Sequence, residues 1–297
     1  MKRVLALAGM LVAVSAANAS IQIMASTGTF MDISTTGTSV GSISDDSENV
    51  ITGAALNAAG WAGNGLLAGG RSIRVGNNGA VLWGNSVADT FTSATQIGWA
   101  NPNATNTGAT SMTTMTADDG SIEGNGGIGG RQMIAPLWDD NFPGSGASTR
   151  WRVMAGNLII QWTNQDHFNA QGTGTITYQM KVFGGVPIAG GQTLVEFVYN
   201  DTSYSANQYQ NDGGSACIGY KNWGINALAN DVEYGICGGA GQTTTDPAFN
   251  GTNMQPKVSG IVSGGNPALT HAVKIIPEPA SIALLALGGL ALLRRRA

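Results

Sequence analysis

Within Thr175 to Phe183 the side chains alternate in character through Val182. Ile176, Tyr178, Met180 and Val182 fall on one side, and Thr175, Thr177, Gln179 and Lys181 on the other. A period of two marks a strand with one buried face. No stretch of the chain carries a sustained helical period, which restricts it to a fold built of strands. Leu158–Trp162 and Leu194–Tyr199 read as further strands, the second bounded by Gly190-Gly191 and Asn200-Asp201. Arg71–Trp83 reads as a hairpin about Asn77-Asn78-Gly79, because Asn-Gly accepts the positive φ of a tight turn. Shorter candidates run at Trp151–Met154, Ala216–Lys221 and Ala272–Ile276. Forty-four glycines in 297 residues are about twice the usual share, and they cut these segments short. Gly, Asn, Thr and Ala are densest from Asn101 to Gly130, which reads as long loops. Together these features predict an all-β fold, a β-sandwich with long Gly/Asn/Thr-rich loops.

Each end of the chain carries a different pattern. Lys2 and Arg3 precede an apolar run from Val4 to Val14 and the small-residue stretch Ala17-Asn18-Ala19. That order is a secretory signal peptide, residues 1–19, with cleavage expected after Ala19 through the small side chains of Ala17 and Ala19. At the other end Pro277-Glu278-Pro279 leads into a largely apolar stretch, Ala280 to Leu293, and then Arg294, Arg295 and Arg296. Fourteen residues of helix rise about 21 Å, short of a bilayer core of about 30 Å. The stretch is expected to be a short transmembrane helix and a temporary anchor. The arginines hold its far end in the cytoplasm, so everything before Pro277 lies outside. Residues 20–276 are then one exported domain, and residues 277–297 a separate C-terminal signal.

Charge separates along the same lines. The whole chain has a net charge of -4; Lys2 and Arg3 contribute +2 and the tail a net +2 (three Arg less Glu278), which leaves -8 on the exported part. Nucleic acid is excluded as a partner by this acidity. Anionic polymers are expected to be met only through divalent cations, because like charges repel within a Debye length of about 8 to 10 Å.

The tail resembles the PEP-CTERM sorting signal of Gram-negative bacteria in its Pro277-Glu278-Pro279, its short apolar helix and its Arg294–Arg296 cluster. The resemblance implies that the chain is a substrate of exosortase, a membrane-embedded cysteine transpeptidase. It also implies a route to the cell surface or to an extracellular polysaccharide and biofilm matrix. A second resemblance lies within the exported part. Ile134-Ala135-Pro136-Leu137-Trp138-Asp139-Asp140, Leu158 to Asn164 with His167-Phe168, Phe197-Val198-Tyr199 and Ser215 to Gly219 are similar to a sandwich module of bacterial surface proteins and to nidogen-type domains.

Residues capable of chemistry are few. Cys217 and Cys237 are the only cysteines, and in an oxidising, exported setting an even count predicts a disulfide. No metal site is expected, for want of a second Cys pair or of clustered histidines. Asp45-Asp46, Asp118-Asp119 and Asp139-Asp140 are oxygen donors of the kind Ca²⁺ takes, although none follows the EF-hand pattern. Calcium is therefore the one cofactor candidate. Gly37-Thr38-Ser39-Val40-Gly41 fits G-x-S-x-G without a following helix, and Gly124 to Gly129 fits G-x-G-x-x-G ahead of a strand, so both read as loop glycines. Of the two histidines, His271 falls beside the last expected strand, close to the anchor, and His167, the better catalytic candidate, reads as a hydrogen-bonded surface or turn residue instead. The seven tryptophans Trp61, Trp83, Trp99, Trp138, Trp151, Trp162 and Trp223 read mainly as core; exposed in a row they would stack on sugars. The expectation is a non-enzymatic envelope or matrix protein. A carbohydrate-binding module is the alternative, and a secreted hydrolase a weaker one.

Overall fold

The computed structural model describes residues 21–26, 28–41, 44–84, 86–87, 132–168, 171–172, 174–187, 192–201, 217–222, 232–237 and 272–277. The helices expected at the signal peptide and in the tail lie outside these residues, as do the 101–130 loops, His271, Trp99, Trp223 and Asp118-Asp119. No helix among the described residues is long and apolar enough to cross a membrane.

The described chain forms two antiparallel sheets with one short helix. In chain order the elements are β1 (Ile21–Ser26), β2 (Thr38–Ser39), β3 (Glu48–Ile51), α1 (Gly53–Ala58), β4 (Ile73–Gly76), β5 (Val81–Trp83) and β6 (Gln132–Trp138). They continue as β7 (Asn141–Met154), β8 (Asn157–His167), β9 (Ile176–Val182), β10 (Val195–Asp201), β11 (Cys217–Asn222), β12 (Val232–Cys237) and β13 (Ala272–Pro277). One sheet runs β1-β13-β10-β9-β8-β7-β2, the other β12-β11-β6-β5-β4-β3. Their facing sides share one apolar core. Ile73, Val75, Val81, Trp83 and Ile134 come from the second sheet, and Leu158, Ile160, Trp162, Tyr178, Met180 and Phe197 from the first. Trp162 stacks on Tyr178 with ring centroids 5.2 Å apart. Its Nε1–H donates to the Gly76 carbonyl of the opposite sheet at 2.9 Å, so this large core side chain also satisfies its polar atom.

The alternation in β9 places Ile176, Tyr178, Met180 and Val182 in the core as expected, but its other face is covered too. Gln179 is fully buried. Residues 28–33 cross the outside of the seven-stranded sheet, and two glutamines hold them there. Gln179 accepts from Met31 N and donates to Met31 O, both at 2.9 Å, imitating a strand partner with an amide side chain. Gln161 accepts from Ile33 N at 2.8 Å and donates to Asp32 Oδ1 at 2.9 Å. Polar residues of alternating pattern thus bind a backbone instead of water.

The register gives the molecule two distinct poles. β7 and β8 are joined at one end by Ala155-Gly156, and at the other Asn141 lies opposite His167. Following the pairings outward, Val182, Val195 and then Ile275 fall at the Ala155-Gly156 end, so β13 leaves the sheet there. At that same pole, α1 and the segment after it close the core with Leu56, Trp61 and Leu67, all buried. Asn64 ties this lid down by donating from Nδ2 to the carbonyls of Phe183 and Leu194.

Candidate functional site

The opposite pole is closed by polar residues. Here Asp139-Asp140 carries the chain from β6 in one sheet to β7 in the other, and the tip of the β4–β5 hairpin docks on this corner. Gly79 takes φ +79°, as the Asn-Gly signal predicts. The absence of a side chain also lets it lie against Leu137 O and the Tyr178 hydroxyl. Its neighbours then bind the corner. Asn78 accepts through its backbone O from Asp139 N at 3.1 Å and through Oδ1 from Asn141 N at 2.9 Å. Asn77 Nδ2 donates to Asn141 O at 2.7 Å, and Asn141 Nδ2 reaches the Tyr178 hydroxyl at 3.3 Å.

Charge is concentrated at this corner. Asp139 and His167 are both fully buried, with His167 Nε2 3.5 Å from Asp139 Oδ1. Burial alone would lower the histidine's pKa, but the Asp139 hydrogen bond and the charges of Asp139 and Asp140 outweigh it and raise it above the ordinary value. Burial, with the charges of Asp139, Asp46 and Asp45 added, pushes Asp140 up to about 6 against the pull of His167. Asp45 and Asp46, in the turn before β3, are raised by the same desolvation, and Asn78 Nδ2 lies 3.4 Å from Asp46 Oδ1. The corner therefore gathers Asp45-Asp46 and Asp139-Asp140, two of the pairs singled out in sequence. Among the described residues, however, no group of three or more His, Cys, Asp or Glu is arranged to hold a metal ion. The role the geometry shows is joining the two sheets.

The other candidates separate. His167 is a core residue, not the surface or turn histidine expected, because β8 continues beneath the corner and takes it inside. Ser39 lies on β2 opposite Arg150; its hydroxyl bonds locally to Gly41 at 3.2 Å, and the strand-to-helix elbow a nucleophile needs is not formed there. Trp61, Trp83, Trp138, Trp151 and Trp162 are at most 8% exposed. Cys217 and Cys237 are direct partners in the β11–β12 ladder. Ala17, Ala19, Glu278, Pro279 and Arg294–Arg296 lie outside the described residues. Pro277 is the final residue of β13, so the strand runs one residue past the boundary expected after 276.

These features define a class: an all-β protein whose last strand passes directly into a C-terminal address. That address is a known one, since residues 276–297 match the PEP-CTERM protein-sorting motif. The motif implies an exported protein, anchored in the membrane and then placed at the cell surface or outside the cell, with exosortase as the processing enzyme. No curated protein and no solved structure matches the chain, so the likeness to surface-protein and nidogen-type sandwich modules gains no support from them.

Proposed function

We propose that the chain is a non-catalytic protein of the cell envelope or extracellular matrix of a Gram-negative bacterium. It is exported by its N-terminal signal, held briefly by its short C-terminal helix, and then processed by exosortase. The match of residues 276–297 to the sorting motif carries this reading. Signal cleavage after Ala19 leaves Ser20 just ahead of β1. An exopolysaccharide or biofilm matrix is the setting this address suggests. A net charge of -8 on the exported part favours contact with anionic polymer through divalent cations over direct binding. Burial of the five described tryptophans weighs against a sugar-stacking platform made from them. The burial of His167 weighs against a hydrolase using it as a base.

In the same reading Cys217 and Cys237 are bridged after export. Opposite residues of an antiparallel ladder stand about 4.5–5.5 Å apart at Cα, inside the usual disulfide range of about 4.4–6.8 Å. Non-reducing mass analysis of the exported protein is expected to find no free thiol.

The main test replaces Pro277-Glu278-Pro279 by three alanines in the native host, followed by fractionation and mass spectrometry of the C-terminus. The expected product is an uncut, membrane-retained chain. Release of the variant with its tail cut where the wild type is cut would show that the tail is only an anchor.

A further inference from the structure

The outermost ladder sets the two ends of the exported domain side by side. β1 and β13 pair along their whole length, Ser26 opposite Ala272 and Ile21 opposite Pro277. β10, on the other side of β13, pairs only with Ala272 through Ile275. Ile276 and Pro277 are the first two residues of the matched sorting segment. Their ladder partners among the described residues are Gln22 and Ile21.

We propose that β1 is a positioning element for sorting. By pairing with Ile276 and Pro277, the N-terminal strand of the exported domain holds the start of the motif extended at the end of the folded sheet, and exosortase receives it in that form. The proposal rests on the sorting reading above. Its physical basis is that fixing the backbone of a free residue costs conformational entropy, and a substrate already extended has paid that cost during folding. Without β1 those two residues would lengthen the tether by about 7 Å and would have to be ordered by the enzyme. The pairing also makes presentation depend on folding. Ile21 and Pro277 are 256 positions apart, so β1 is made long before β13 exists, and the ladder closes only on a complete domain.

The test follows conversion of the C-terminus by pulse–chase in the native host, using the full chain. Deleting residues 20–22 makes Ile23 the first residue after Ala19 and removes both partners of Ile276–Pro277, while leaving the pairs from Ile23 to Ser26. Conversion is expected to slow roughly tenfold or more, two residues' worth of backbone ordering. Replacing residues 20–22 by Gly-Ser-Gly restores a backbone partner without the original side chains, and is expected to restore the rate. The proposal is overturned if the deletion is converted as fast as wild type, or if the Gly-Ser-Gly variant, with its backbone partner restored, is converted as slowly as the deletion. Either result leaves the sorting reading standing, since that falls only if the triple-alanine variant is cut normally.

Discussion

Gly79 is constrained twice, once by its φ of +79° and once by the space it occupies. A methyl group there would strain the backbone and collide with the Leu137 carbonyl beside the Tyr178 hydroxyl. Gly79→Ala is expected to destabilise the domain by at least about 2 kcal/mol, read as a drop in the urea midpoint. Only the first constraint was legible, because Asn-Gly announces a turn but not what the turn will touch. Asp140 gives a pH signature. Its pKa rises from 3.8 to about 6 on folding, so the folded state binds the extra proton and stability falls as pH climbs through that window. His167, also raised, acts in the same direction above 6.5. The melting temperature is therefore expected to fall between pH 4 and pH 8. Asp140→Asn should flatten the lower part of that slope and melt higher than wild type at pH 7. A variant that keeps the full slope between pH 4 and 6 would remove Asp140 as its source.

At the level of elements, the strands read correctly were those whose own residues announce them. β9 alternates, and the β4–β5 hairpin carries its Asn-Gly. Most of β7 was illegible, since Asn141-Phe142-Pro143-Gly144-Ser145-Gly146 has the composition of a loop. It is a strand because β8 offers a continuous partner, with the irregularity taken up between Pro143 and Ser148. The turn joining β7 and β8 was hidden for a similar reason. Ala155 and Gly156 both take positive φ, 48° and 78°, but alanine is not a residue that signals such a turn. Ala155→Asn is expected to stabilise the hairpin by roughly 0.5–1 kcal/mol, because asparagine tolerates the left-handed region better. Chemical denaturation would measure it, and an unchanged or lower midpoint would count against the turn as described. The half-buried β9 expected from alternation is covered on both faces because of Gln179, which, like Gln161 on the neighbouring β8, is buried where a distant segment supplies the backbone groups it binds.

For the molecule as a whole, the sorting address was legible because it is local, a contiguous run whose chemistry needs no fold. The polar corner was not. Asn78, Asp140 and His167 lie far apart in sequence, and nothing in their spacing says that a hairpin tip, a sheet-to-sheet crossing and a strand end will meet. Nor did the sequence reveal that its first and last strands are neighbours. That adjacency makes the exported domain nearly a closed ring. Ile21 and Pro277 face each other across one ladder step, about 5 Å, and a loop of a few residues between them would turn β1 and β13 into an ordinary hairpin. Chain order could then be permuted, with new ends opened at Ala155-Gly156. Such a permutant would carry neither membrane address, yet retain every pairing of both sheets, separating the stability of the frame from the signals that export and release it.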